Sequence, residues 1–188
     1  DAAREYLLTT ALPGIHPMHD DFTIAPEKRV TLLANIARKM HTIPHDDDLA
    51  VRTPADHLAQ VQKIHDTLPD NTTRMHLENM ATLLPSLTHS LLVVTHGDFY
   101  PVNMRVMPDS GAFIGVLDVG RLALADPYVD LAPLADAITW HMNTKQIPTL
   151  FKKYGIALDE NKLRFYQWYH KLMAHDSSPS KSSTSSKI

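Results

Sequence analysis

The chain has 188 residues, 44% of them hydrophobic and 21% charged, enough for one globular domain with a buried core. Its formal net charge of −3, with Lys and Arg spread along the chain, offers no general attraction for nucleic acid or an anionic membrane. Zero Cys excludes disulfides and thiolate metal sites, and no apolar run reaches bilayer length, so a cytoplasmic protein is expected.

In chain order, Glu5 to Gly14 reads as a short strand stopped by Pro13-Gly14. It follows the first residue almost without a lead-in, and the start lacks the basic-then-apolar order of a secretory signal, which places a true N-terminus upstream. A polar loop over 15–22 leads to a helix that Pro26 opens at its first-turn position. Val30, Leu33, Ala34, Ala37 and Met40 recur at helical spacing and should form its buried face, with the end near Pro44. After a loop holding Asp46, Asp47 and Asp48 come helices over 54–68 and 72–84, the second stopped by Pro85.

From Leu91 the pattern changes. Short strands are expected over 91–95, 103–107 and 113–117, separated by Pro, Asp and Gly. Helices return over 128–142, 147–154 and 159–173, with Gly155 as a stop and Asp159 as an N-cap. The Ser- and Lys-rich end, 176–188, holds too little apolar surface to offset the entropy of ordering and reads as a disordered tail. Trp140, Phe165, Tyr166, Trp168 and Tyr169 sit at helical spacings that suit core packing better than ligand stacking. His41 with His45, or His16 with His19, could begin a metal site, but spacing supplies no third ligand.

The informative segment is Thr95-His96-Gly97-Asp98-Phe99-Tyr100-Pro101-Val102-Asn103, between two expected strands. Here an Asp precedes an Asn at the spacing of a kinase catalytic loop. A hydroxyl acceptor needs a carboxylate to orient it and take its proton, and an amide oxygen nearby can hold magnesium on the phosphate side. Asp98 suits the first role and Asn103 the second. Gly115-Val116-Leu117-Asp118-Val119-Gly120 puts a second carboxylate at a strand end, where a hard oxygen ligand could meet the same ion. The Asp109-Ser110-Gly111 turn supplies the reversal that brings Asn103 and Asp118 together. The expectation is that Asp98, Asn103 and Asp118 meet at one pocket floor. His96 reads as a packed loop residue and not as a base.

His96-Gly97-Asp98 with Asn103, then Leu117-Asp118-Val119-Gly120-Arg121, then Ala125-Asp126-Pro127-Tyr128-Val129-Asp130-Leu131-Ala132, resembles the aminoglycoside phosphotransferase family, in particular its 3'-phosphotransferase branch. Tyr6 to Gly14 is similar to the family's interlobe hinge, and Tyr154-Gly155 and Tyr166 to its late helices. The resemblance spans all but the tail. It implies an α+β, protein-kinase-like fold: a hinge strand over 1–14 and a mostly helical C-terminal lobe over 15–175, with a short β-hairpin at the catalytic loop. It implies Asp98 as catalytic base, Asn103 and Asp118 as ligands of Mg2+, and the backbone of Leu8, Thr9, Thr10, Ala11 and Leu12 as the adenine contact of ATP. Arg121 would neutralise or position carboxylates near the site, while Asp126 and Asp130 would brace the loop and cap the helix starting near Tyr128.

None of the six glycines lies in a Gly-rich phosphate loop and no segment reads as the strand with the phosphate-pairing Lys, so the N-terminal lobe is expected to be absent here and encoded upstream. The function implied is ATP-dependent phosphoryl transfer to a small-molecule hydroxyl, an aminoglycoside foremost. The helix after the Asp130-Leu131-Ala132 motif carries Asp136, Trp140 and His141, which leaves a homoserine-, choline- or sugar-amine-type metabolite open as acceptor. A lobe that binds small cations without catalysis is the reading from another class.

Overall fold

The computed structural model describes residues 10–45, 48–66, 69–87 and 91–175. The expected strand start at Glu5, the hinge residues Leu8 and Thr9, the loop residues Asp46 and Asp47, and the tail over 176–188 lie outside the described residues.

Helix α1, Pro26–His41, begins with Pro26 in its first turn, carries Glu27 there and ends on Arg38, Lys39 and His41, a charge order that complements the helix dipole. All five of its expected core positions are buried, joined by Ile36 and His41. Strand β1, Val51–Arg52, which hydrophobic patterning does not reveal, leads into α2, Pro54–Ile64. A capping box starts α2: Thr53 Oγ1 accepts from Asp56 N at 3.2 Å while Asp56 Oδ2 accepts from Thr53 N at 2.7 Å. Helix α3, Asn71–Leu83, is capped by Asp70, which accepts from Thr73 N at 2.7 Å, and passes into a 3-10 turn, Leu84–Ser86.

Four strands and three helices follow, and the three strands expected from sequence are shorter than their patterns suggest. β2 is Val93–Thr95, β3 Met104–Val106, β4 Phe113–Val116 and β5 Ala123–Ala125. β3 and β4 form an antiparallel hairpin with a register irregularity between Arg105 and Val106. β5 is the centre of a second sheet, antiparallel to β2 and parallel to β1. Neither β1 nor β5 is expected from sequence: two and three residues give no alternation to read.

Helix α4, Tyr128–His141, is buried at every position from Tyr128 to Ile138 and forms the axis of the lobe, packed by α1, α5 (Ile147–Tyr154) and α6 (Glu160–His175). Gly155 ends α5 in the left-handed conformation at φ 104°, and Asp159 Oδ1 accepts from Asn161 N and Lys162 N at the start of α6. Phe165, Tyr166 and Tyr169 are buried as expected of core aromatics. Trp140 departs from that expectation: it is 65% exposed, because it falls in the last turn of α4 and faces the ring of Tyr100, stacked at 6.1 Å.

The expected hinge strand does not extend over residues 10–14, which form no regular structure. Pairing begins instead at Ile15, which exchanges both backbone hydrogen bonds with Val106 at 3.0 and 2.9 Å. Gly14 allows that approach: its φ is +89°, and a Cβ there would sit 2.5 Å from Val106 O. Leu12 reaches β4, lying 3.1 Å from where a Cβ on Gly115 would be. Thr10, Ala11 and Leu12 are therefore exposed along the β3–β4 hairpin.

Candidate active site

Strand β2 delivers the chain to His96, and from there the loop is held by one buried carboxylate. Asp130, in the first turn of α4, is wholly buried. Its Oδ2 accepts from His96 N at 2.7 Å and its Oδ1 from Gly97 N at 2.9 Å. The His41 ring, at the end of α1, adds a third donor through Nε2 at 3.0 Å, and Tyr154 OH contacts His41 Nδ1 at 2.6 Å. Burial, helped by the nearby Asp130 charge, pushes the Tyr154 phenol up to about 12, so it stays protonated beside Nδ1. The expectation that Asp130 helps cap α4 is corrected here: its side chain turns back to the loop after β2 and accepts from the N–H groups of His96 and Gly97. Asp126 does brace the helix start, accepting from Tyr128 N at 2.9 Å and pairing with Lys162 Nζ at 2.7 Å.

Gly97 has to be glycine. Its φ is +80°, and a Cβ would lie 2.7 Å from both Cβ and O of Arg121. The Gly97-Asp98 and Gly120-Arg121 segments are thus packed backbone to backbone. His96 adds a second tie: its Nε2 donates to Leu117 O at 2.8 Å while Nδ1 accepts from Asp98 N at 3.3 Å, which fixes one tautomer. Both ring nitrogens are used structurally, as the reading of His96 as a loop residue requires.

Asp98 and Asn103 come together. Asn103 Nδ2 donates to Asp98 O at 2.9 Å and lies 3.4 Å from Asp98 Oδ2. With the amide nitrogen committed, the Asn103 oxygen faces away from Asp98. Asp118 follows a backbone tie to Asn103: Leu117 N donates to Asn103 O at 2.8 Å, and the next residue, Asp118, is exposed at φ 58°. That left-handed conformation is uncommon outside glycine and ends β4 in a sharp turn.

The Asp98 pocket, about 150 Å³, is lined by Asp98, Tyr100, Arg121, His170, Met173 and Ala174. Of the expected set it takes Asp98 and Arg121 as walls; Asn103 and Asp118 line neither this pocket nor the wider one beside it, so the expected meeting of three side chains on one pocket floor reduces to the Asp98–Asn103 contact. Through Tyr100 and His170 it adjoins a wider pocket of about 410 Å³ that also contains Asp136, Trp140 and Lys171. Burial raises Asp136 above the ordinary carboxylate range, against the Gln167 amide that donates to its Oδ1 at 2.6 Å. Burial likewise raises the Tyr100 phenol, with Asp136 and Asp98 adding to the effect, and lowers His170. Tyr100, His170, His41 and Tyr154 were not singled out for the site from sequence. Their link to it is tertiary, since α1, α5 and α6 each bring one of the last three.

This loop, clamped between a short hairpin and a buried helix, has the layout of solved antibiotic phosphotransferases. The chain superposes on the crystal structure of an aminoglycoside-3'-phosphotransferase of type VIII with TM-score 0.66 and 25% identity, covering 86% of this chain and 66% of that one. The chain belongs to the phosphotransferase enzyme family, which it matches over residues 1–175. It is 35% identical to an aminoglycoside 3'-phosphotransferase of Escherichia coli over 184 residues, covering 86% of this chain and 63% of the relative. It is 30% identical to one of Streptomyces fradiae, covering 89% and 68%. The chain therefore spans less than two thirds of the E. coli relative's length. Among the described residues no helix is long and apolar enough to cross a membrane.

Proposed function

We propose that this chain is the catalytic and substrate-binding lobe of an ATP-dependent phosphotransferase whose acceptor is a hydroxyl of a small amine-bearing molecule, an aminoglycoside foremost. The observation that carries the reading is the position of Asp98: it lines a pocket and meets the Asn103 amide on a loop whose backbone is fixed by Asp130. In the reaction proposed, the Asp98 carboxylate orients the acceptor hydroxyl and takes its proton as oxygen attacks the γ-phosphorus and ADP leaves. The donor set fits magnesium, since the amide oxygen of Asn103 and the exposed carboxylate of Asp118 are both hard ligands beside one clamped backbone bond. When bound, the ion would neutralise phosphate charge. Leu8, Thr9, Thr10, Ala11 and Leu12 are proposed to face adenine; the support is that Leu12 and Ile15 lie against the β3–β4 hairpin.

One observation favours a second acceptor class. The wider pocket sets one carboxylate, Asp136, beside the stacked rings of Tyr100 and Trp140, a recognition set for a single cation with an apolar face more than for a polycation. A homoserine-, choline- or sugar-amine-type kinase is that alternative. A phosphorylation screen with ATP over aminoglycosides and these metabolites, run on the full-length protein, separates the two. In the same assay Asp98→Ala should lower kcat by roughly 100- to 10,000-fold with KM nearly unchanged. Near-normal turnover would remove Asp98 from the mechanism, and no turnover on any acceptor would leave the non-catalytic reading.

A further inference from the structure

Beside the 95–97 loop lies a second cavity of about 170 Å³ that contains none of Asp98, Tyr100 or Trp140. Arg52 of β1 and Arg121 stand in its wall, together with Gln60, His57, Tyr169 and the loop glycine Gly120. No Asp or Glu lines it, and among the described residues neither arginine forms an ion pair. Two arginines around one hollow, with only Asp56 of the capping box acting on Arg52, leave positive charge there that an anion would offset. The fold nevertheless brings them together, because β1 pairs in parallel with β5, which begins two residues after Arg121.

Other observations point the same way. A Cβ added to Gly120 would meet nothing within 4 Å, so the space beside that backbone is open. Thr95 Oγ1 is already committed to Ala123 O, and Tyr169 OH donates to Gln60 Oε1, which leaves the Gln60 amide N–H groups as free donors. Arg121 and Arg52 both act on the Tyr169 phenol electrostatically, against the rise that burial and, less strongly, Asp98 impose on it, so both arginine charges bear on one point of the wall. The nearest carboxylates are otherwise engaged: Asp56 in its capping box with Thr53, and Asp98 in the pocket on the other side of Arg121.

We propose that this cavity is a binding site for a tetrahedral oxyanion of the phosphate class, held by the forked donors of Arg52 and Arg121 with Gln60 in support. Planar guanidinium groups match phosphate oxygens in pairs, and at about 30 Å³ per water the cavity has room for one such ion and its remaining hydration. Arg121 lines this cavity and the Asp98 pocket alike, so an ion here shares its guanidinium with the pocket that holds Asp98. The phosphate could be free or could be the head of a monoester; the chemistry is common to both.

The test reads binding alone, so it stands or falls apart from the phosphotransfer reading. Inorganic phosphate is titrated into the full chain by calorimetry, at constant ionic strength against chloride, with glycerol phosphate as a second arm. Saturable 1:1 binding is expected, with Arg52→Ala weakening it by about tenfold or more, as loss of a charged hydrogen-bond donor does, and Arg52→Lys falling between. Binding of phosphate but not of glycerol phosphate identifies the free ion as ligand; binding of both admits a monoester. Arg52 is exposed, so its replacement should not unfold the lobe, and thermal melting in chloride checks this. Heat no greater than chloride gives, or equal phosphate affinity in folded Arg52→Ala, overturns the proposal.

Discussion

His170 Nε2 donates to Val129 O at 2.7 Å, and it does so because Pro133 stands four residues after Val129. Within α4 that carbonyl would accept the N–H of residue 133, which proline lacks. The helix axis of the lobe thus has one orphan acceptor, and α6 supplies its donor from a buried ring. Burial lowers His170 below its ordinary value, which keeps the ring neutral with the proton on Nε2. His170→Phe should cost about 1–3 kcal/mol in urea unfolding, the usual result of leaving a buried carbonyl unpaired. Adding Pro133→Ala to that variant restores an N–H inside the helix and should recover part of the loss. If the double variant is no more stable than His170→Phe, the orphan carbonyl is not what the histidine serves.

His57 sets an acid limit. Burial drives it from 6.5 to about 4, opposed only in part by its hydrogen bond to Thr53 O. Its folded value lies below its unfolded one, so the neutral ring's contribution to stability is complete above pH 6.5. It is lost progressively as pH falls through that value toward about 4. Lowered His170 and His16 act with the same sign. Urea unfolding at a series of pH values should show a plateau above neutrality and a loss of a few kcal/mol by the lower end of that window. His57→Gln should flatten the slope. An unchanged slope in that variant would move the acid sensitivity elsewhere.

Much of this was readable in the residues because it is local. Pro26 and the apolar period of α1, Asp159 and Gly155 around α5 and α6, and the contact of Asp98 with Asn103 five residues on all depend on neighbours within a few turns. What escaped is long-range. Asp130 reads as a helix-start residue, and only the packing of α4 beneath the loop turns it toward His96 and Gly97. His41 and Tyr154 join it from opposite ends of the chain. Strand β1 is two residues long, so Arg52 reaches Arg121's neighbourhood through a pairing that no periodicity announces. Pro133 was the one missed local clue, since a proline within a helix always leaves a carbonyl to be satisfied.

Gly97→Ala tests the tie between the Gly97-Asp98 and Gly120-Arg121 segments. At φ +80° alanine is strained, and its methyl would lie 2.7 Å from Arg121 backbone oxygen, a contact no side-chain rotation relieves. A loss of about 1–3 kcal/mol is expected from strain of this kind. Because the displaced partner is Arg121, the Asp98 pocket should open as well, and acceptor KM should rise more than a stability loss alone explains. The same substitution at Gly120, where the added methyl meets nothing within 4 Å, is the control and should cost far less.

Asp136 is expected to trade stability for recognition. Its folded value is raised above 3.8 by burial, so the charged form is the one the fold disfavours. The contribution to stability is therefore greatest at or below pH 3.8 and is lost as pH rises through the folded value, which leaves a net cost at neutrality. Asp136→Asn removes the charge and keeps an oxygen for the Gln167 amide, now 2.6 Å from Oδ1. At pH 7 the variant should melt about 2–4 °C higher, the equivalent of ~1 kcal/mol in a chain of this size. The gain should shrink as the wild-type carboxyl protonates in acid. If the carboxylate also meets an amine in the pocket beside Trp140, the same variant should raise KM for cationic acceptors while leaving kcat close to its starting value. A variant that is less stable at pH 7 would show that the Asp136 carboxylate is held by more than the Gln167 amide.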